Sequence, residues 1–246
     1  MILNSSPISL SIVQVSTTLA AIAGLIVFKL DMQAILEIAV GYFLLSCVGI
    51  SIFYHRYYSH RSFKTNFIIR WVGTILGVLA GRGSPIGWVA VHRQHHKNAD
   101  SINDPHAPSI RIFAPHLLNY TNINLFSIKE LLTNRYHRYI DDYYNLILFL
   151  FVVIIGAIDM RTLMFLWIIP VALTGWVLNL FTFFTHMYGY RTFETNDKST
   201  NNWFISLILW GEGWHNNHHA KPNLWNLRNK WWELDISAQI IRMIKV

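Results

Sequence analysis

The sequence predicts an all-α fold set in a membrane, with four transmembrane helices in two hairpins and a histidine-rich cap on one side. Hydrophobic residues make up 53% of the chain and charged ones 13%, about half the charged share of a soluble domain. Four stretches, about 8–28, 34–54, 144–158 and 163–185, approach the roughly 20 apolar residues that cross a bilayer. No strand alternation, solenoid period or low-complexity tract competes with them.

Taken in order, the first apolar stretch has no basic residues before it and is long enough to span, so it reads as a retained helix rather than a cleaved signal. Residues 29–32 turn the chain into the second span, and Asp159-Met160-Arg161 turns the third into the fourth, so little chain is exposed on the far side. Residues 55–143 carry 11 basic and 5 acidic side chains, and residues 191–246 carry 7 and 5. The positive-inside rule then places 55–143, 186–246 and the N-terminus in the cytoplasm. Residues 67–91 are apolar but broken by Arg70, Gly81-Arg82-Gly83 and Pro85, and read as an interfacial or re-entrant helix. The whole, 1–246, is one membrane domain. The net charge of +7 beside such segments fits orientation and anionic headgroups better than nucleic acid. Cys47, the single cysteine, excludes a disulfide framework and a thiolate metal site.

Histidine is the ligand this chain has in quantity. All 12 fall at or past the cytoplasmic boundary, and nine form three clusters and one isolated position: His55 and His60; His92, His95 and His96; His215, His218 and His219; and His186 at the end of the fourth span. Two triplets share the spacing H-x-x-H-H, which on a helix puts three rings on one face, aimed into a common volume. His55 and His60 stand about 140° apart on an ideal helix, so local bending is expected there. Imidazoles crowded beside an apolar surface repel when protonated and need separate partners when neutral, a conflict that metal resolves. Nine imidazoles exceed one ion's capacity, so two metals are implied, of a kind that imidazole alone leaves open.

The three boxes, His55-x4-His60, His92-x2-His95-His96 and His215-x2-His218-His219, resemble those of the membrane fatty acyl desaturases. The context Gly211-Glu-Gly-Trp214-His-Asn-Asn-His-His-Ala220 and the segment Asn103-Asp-Pro-His106 look like the stearoyl-CoA, delta-9 branch, and the likeness covers roughly residues 30–225. The resemblance implies a di-iron centre on the nine histidines, O2 as co-substrate, and a cis double bond introduced into a saturated acyl chain carried by CoA, a carrier protein or a lipid. It also implies an external electron donor, a ferredoxin or cytochrome b5 type with its reductase, since no dinucleotide fingerprint or fused redox domain is present. Where the family has an asparagine four residues before the fourth-helix histidine, this chain has Thr182, with Asn179 a turn earlier as a substitute.

Around the boxes, Asp104, His106, Glu212 and Asn216 are candidates to orient ligand histidines through the second ring nitrogen. Trp71, Trp88, Trp176 and Trp214 are candidate walls of an acyl tunnel. Arg93 and Lys97, with Arg61, Lys64 and Arg111, are candidates for a phosphate-bearing carrier; His116 and His137 read as ordinary loop residues. Two other readings remain at this stage. A related hydroxylase or acetylenase differs only in product. A histidine-rich metal transporter would carry ionisable ligands at mid-membrane depth, where this chain has only Glu37, near the start of its run.

Overall fold

The structure, a computed structural model, describes residues 7–105 and 124–246; His106, Arg111 and His116 lie outside the described residues. Helix α1 (Pro7–Val27) leaves Ile12, Leu19, Ile22 and Ile26 exposed, which water would penalise and acyl chains do not. Asp31 then caps the next helix by accepting from the Ala34 N–H. That helix, α2 (Met32–Ser59), has 28 residues, more than a bilayer needs, so its C-terminal end carries the first histidine box into the cap.

From Phe43 to Ser59 α2 is wound as a π-helix. Helix α3 (Phe67–Leu79) packs closely along it because the contact is built on glycine. A Cβ added at Gly49 would fall 2.7 Å from the Leu76 carbonyl carbon, and one at Gly73 would fall 2.0 Å from the Phe53 ring. Gly81 (φ 73°) and Gly83 (φ 98°) turn the chain through left-handed backbone that glycine adopts freely. Ser84 caps α4 (Pro85–Asn98), with proline in its first turn. The single helix expected over 67–91 is therefore two, with the break at the glycines and the second helix carrying the second box.

A 3-10 turn (Leu125–Ile128) leads into α5 (Lys129–Thr133) and α6 (Arg135–Asp142). His137, expected in a loop, is buried in α6 with its ring stacked on Trp71. Helix α7 (Tyr144–Ile158) has 15 residues, or about 22 Å, short of the ~30 Å hydrocarbon layer. It passes as a span only together with α6, from which it bends by 66°. Asp159 caps α8 (Met160–Met187). Arg161 ties the two far-side turns together, meeting Asp31 at 2.7 Å and Glu37 at 3.2 Å; Glu37, the one acid in an apolar run, is thus paired. Among the described residues three helices are long and apolar enough to cross, or four with the bent pair. The protein is a multi-pass membrane protein with an all-α fold, and packing runs across the hairpins, α1 and α2 both lying against α8.

The remaining cap consists of α9 (Trp203–Ile208), α10 (His215–Ala220) and α11 (Ile236–Ile244). Helix α11 is held on α2 by Ile241 in the apolar cluster with Cys47, Ile52 and Phe53 and by Ser237 Oγ, 2.7 Å from Ser51 Oγ.

Candidate metal centre

The π-winding of α2 supplies what bending was expected to supply. An α-helix advances 100° per residue, whereas i→i+5 winding brings residues five apart to nearly one side. The His60 N–H donates to the His55 carbonyl at 3.2 Å, and the two rings lie edge to face with centroids 4.8 Å apart.

The nine histidines gather into two nests: His55, His60, His92, His96 and His218 in one, and His95, His186, His215 and His219 in the other. One ring nitrogen from each member lies within 4.8 Å of the others in its nest. Each H-x-x-H-H triplet is therefore split between nests rather than aimed into one volume. The geometry of α4 gives the reason: from His92, residue i+4 lies at +40° and residue i+3 at −60°, so His95 and His96 diverge by about 100°. In α4 the i, i+4 pair joins the first nest, and in α10 the i, i+4 pair, His215 and His219, joins the second.

Within the nests the ring nitrogens face one another. The Nε2–Nε2 separations are 3.0 Å for His55–His218, 2.7 Å for His60–His92, 2.9 Å for His96–His218 and 3.0 Å for His186–His215. Two imidazole nitrogens at about 2.1 Å from one ion and at right angles stand about 3.0 Å apart. His219 Nε2 is buried in its nest with no hydrogen-bond partner, a state that a bound metal ion would relieve. Burial, and then the neighbouring imidazoles, hold His92, His96, His215 and His218 well below the usual histidine range. His219 is pushed down to about 4, mainly by burial. These five rings are thus neutral at physiological pH, the form that binds metal, and the gathered nitrogens make both nests able to hold metal ions.

Carboxylates stand behind four of the rings. Each accepts from an Nδ1–H: Glu212 from His55 at 2.6 Å, Asp104 from His95 at 2.9 Å, Asp100 from His186 at 3.0 Å and Asp197 from His219 at 2.8 Å. Glu212 and Asp104 were singled out by their neighbourhood; Asp100 and Asp197 were not. Asp100 sits four residues past His96 in left-handed backbone (φ 60°), and the sequence signal was only its nearness to a box. Asp197 lies in a loop with no pattern linking it to His219. Three of the four carboxylates serve the four-histidine nest, which makes its imidazoles the more electron-rich.

Glu212 is fixed in turn by Arg56. Although burial opposes ionisation, His55 and Arg56 hold Glu212 at about 2. The Arg56 guanidinium donates to Glu212 Oε1 at 2.9 Å, to Asp235 Oδ2 at 2.9 Å and to the Trp225 carbonyl at 2.8 Å, which ties the first box to the tail. Asn216, expected to orient a histidine, instead accepts from the Thr192 and Phe193 N–H groups at 2.7 and 2.8 Å and donates to the Phe193 carbonyl, pinning the loop that carries Asp197. Asn217, not anticipated, donates to Glu233 at 2.9 Å and accepts from Asn201 at 2.8 Å. The requirement in both cases is to hold a short helix whose own hydrogen bonds are few.

The proposed substrate contacts separate. Arg93 donates to the Ser59 and Tyr58 carbonyls at 2.9 and 2.8 Å, to Glu130 at 2.7 Å and to the Ser127 carbonyl. It caps the end of α2, and those donors are not left for a phosphate. Lys97 is exposed. Trp214 packs on Trp232 and donates to the Leu234 carbonyl; Trp176 donates to Thr18. Trp71 and Trp88 are packed against Tyr136 and Tyr54, each with a buried indole N–H lacking a partner. Thr182 is half-buried one turn before His186, and the Asn179 amide nitrogen is buried without a partner.

The profile of the family described as Fatty acid desaturase matches residues 33–242. The chain is 33% identical over 224 residues to the Delta-9 acyl-lipid desaturase 1 of Arabidopsis thaliana, covering 86% of this chain and 72% of the relative. It is 30% identical over 216 residues to the sn-1 stearoyl-lipid 9-desaturase of Anabaena variabilis, covering 83% and 78%. With the Acyl-CoA C20 Delta5-desaturase of Anemone leveillei it shares 29% over 222 residues, 83% and 68%. Two nests of histidine over a membrane-spanning helical base, together with these matches, make the chain a member of the fatty acid desaturase family.

Proposed function

We propose that this protein is an O2-dependent acyl desaturase that removes two hydrogens from adjacent methylenes at a di-iron centre, with His55, His60, His92, His96 and His218 holding one iron and His95, His186, His215 and His219 the other. The observation that carries this reading is the pairing of two nests of mutually facing imidazoles with carboxylates behind four of them. A methylene C–H offers no acidic proton and no leaving group, so acid/base or nucleophilic side chains have nothing to act on. Bound iron and O2 supply the oxidising power, and electrons come from a ferredoxin or cytochrome b5 type donor.

The protein's own contribution is position. Glu212, Asp104, Asp100 and Asp197 each hold a proton on Nδ1 of a ligand histidine, which fixes the tautomer and leaves Nε2 free. Arg56 and Asn216 hold two of the supporting segments still. The acyl chain approaches from the membrane side, with Trp71, Trp88 and Trp176 as candidate walls, and Thr182 with Asn179 lies on the approach to His186. The basic excess in 55–143 and 191–246 supports a cytoplasmic catalytic face. The relatives' names include both acyl-lipid and acyl-CoA desaturases; we place the acyl chain, rather than one carrier, as the substrate class.

Mass spectrometry of fatty acids from desaturase-deficient cells expressing the protein tests this. The expected result is a new mono-unsaturated acid, absent with His215→Ala. A hydroxylated or acetylenic product would overturn the desaturation assignment.

A further inference from the structure

We infer that α9 is a membrane-embedded re-entrant helix whose Trp203, Phe204 and Leu207 face lies among the acyl chains of the cytoplasmic leaflet, so that lipid itself buttresses the segment leading into the third histidine box. The run Trp203-Phe-Ile-Ser-Leu-Ile-Leu-Trp210 is apolar but far too short to cross a bilayer, so span length does not mark this helix.

Three observations place it there. Helix α9 starts level with the end of α8, where the Thr200 N–H donates to the Thr185 carbonyl at 2.6 Å, and then descends along α2. The Tyr42 hydroxyl donates to the Ile208 carbonyl at 2.9 Å, the Trp210 indole donates to Ser46 Oγ at 2.7 Å, and the Trp210 ring lies 5.3 Å from that of Phe43. Tyr42, Phe43 and Ser46 precede by eight to twelve residues the end of the apolar run at Tyr54, which is about 12–18 Å along the axis at α-helical rise. This is deeper than the ~5–10 Å reached by a helix lying in the interface, as a segment that enters and returns requires.

The outward face fits lipid and not water. Trp203, Phe204 and Leu207 are 65%, 54% and 54% exposed, whereas Ile205, Ser206 and Leu209 between them face inward. Irregular backbone is tolerated at such depth only when protein satisfies it. Residues 209–214 meet that condition: they are buried except for the half-buried Trp210, and Leu209, Gly211, Glu212 and Trp214 all donate to backbone carbonyls while the Trp210 and Gly213 carbonyls accept from Ser237 and Asn202. The face is continuous with the spanning surface of α2 and α8, so the occupant is bilayer lipid.

The test attaches an environment-sensitive fluorophore to Phe204→Cys and Leu207→Cys in the full-length protein, Cys47 being buried, and reconstitutes it in phosphatidylcholine vesicles. Leu19→Cys on α1 serves as the lipid-facing reference and Arg228→Cys in the cap as the aqueous one. Quenching by mid-chain brominated phosphatidylcholine should match Leu19→Cys within about twofold, with iodide reaching Arg228→Cys alone. Iodide quenching at 204 and 207 equal to that at 228 would overturn the proposal, as would protection from both quenchers, which would mean that a second copy covers the face. Because a variant that misfolds would report water everywhere, intrinsic tryptophan fluorescence of the otherwise unaltered Trp203→Phe chain gives an independent reading: its brominated-lipid quenching should fall below that of the native chain, and an unchanged value would count against insertion. Neither measurement depends on metal or on turnover.

Discussion

At the scale of single residues, the carboxylates behind the imidazoles carry the clearest consequences. Asp197→Ala and Asp100→Ala remove acceptors that hold Nδ1–H of His219 and His186, and such supporting partners are worth about 10–100-fold in metal affinity. Competition of the purified variants against a graded series of chelators should show that loss, with the protein still inserted. Arg56 is fully buried between Glu212 and Asp235. Removing one partner of such a network leaves uncompensated charge and costs on the order of 3–5 kcal/mol, so Arg56→Leu should accumulate poorly, measured as detergent-extracted monomer, while Arg56→Lys retains part of the yield. Acid acts on the same groups. His92, His96, His215 and His218 are held neutral by burial and neighbouring imidazoles, so their folded values lie below the unfolded ~6.5. The unfolded chain then binds more protons as pH falls through that value, and stability falls with it. The metal-free protein should melt at a lower temperature at pH 5.5 than at 7.5 in a thermal scan, and an unchanged midpoint would contradict the neutral assignment.

At the scale of elements, much of the site is a matter of winding and approach. The spacing H-x-x-H-H was legible in the sequence, and so was the convergence of three boxes. Its division between two nests was not read from it, although the 100° between i+3 and i+4 contains it: the common-face rule merges positions that a close-packed site keeps apart. The π-winding of α2 was not legible at all, because no residue between Phe43 and Ser59 marks i→i+5 bonding in the way that glycine and proline mark the turn before α4. Asp100 and Asp197 escaped because a carboxylate reaching a histidine across 86 or 22 positions leaves no local period. Glycine at 49 is the element-scale counterpart of a core residue. Gly49→Leu drives a side chain into the Leu76 backbone, and should prevent α3 from docking. Limited proteolysis of membranes would then cut between α2 and α3, whereas Gly156, whose added Cβ would meet only flexible side chains at 3.1 Å or more, should tolerate alanine.

At the scale of the whole molecule, two far-side turns joined through Arg161 fix one end of the helical base, and the extended end of α2 lifts the first box into a cap closed by α11 and the Arg56 network. The fold class and the multi-pass base were legible from apolar length alone. The weakness of α7 as an independent span was not, because composition records how apolar a stretch is and not where its helix bends. The central claim is that nine histidines form two metal sites and not one. The most direct test is the iron-to-protein ratio of the purified protein, measured by inductively coupled plasma mass spectrometry alongside a His95→Ala, His186→Ala double variant. Two irons per chain in the native protein and about one in the variant are the predicted values; one iron per chain in the native protein would contradict the division of the boxes between two nests.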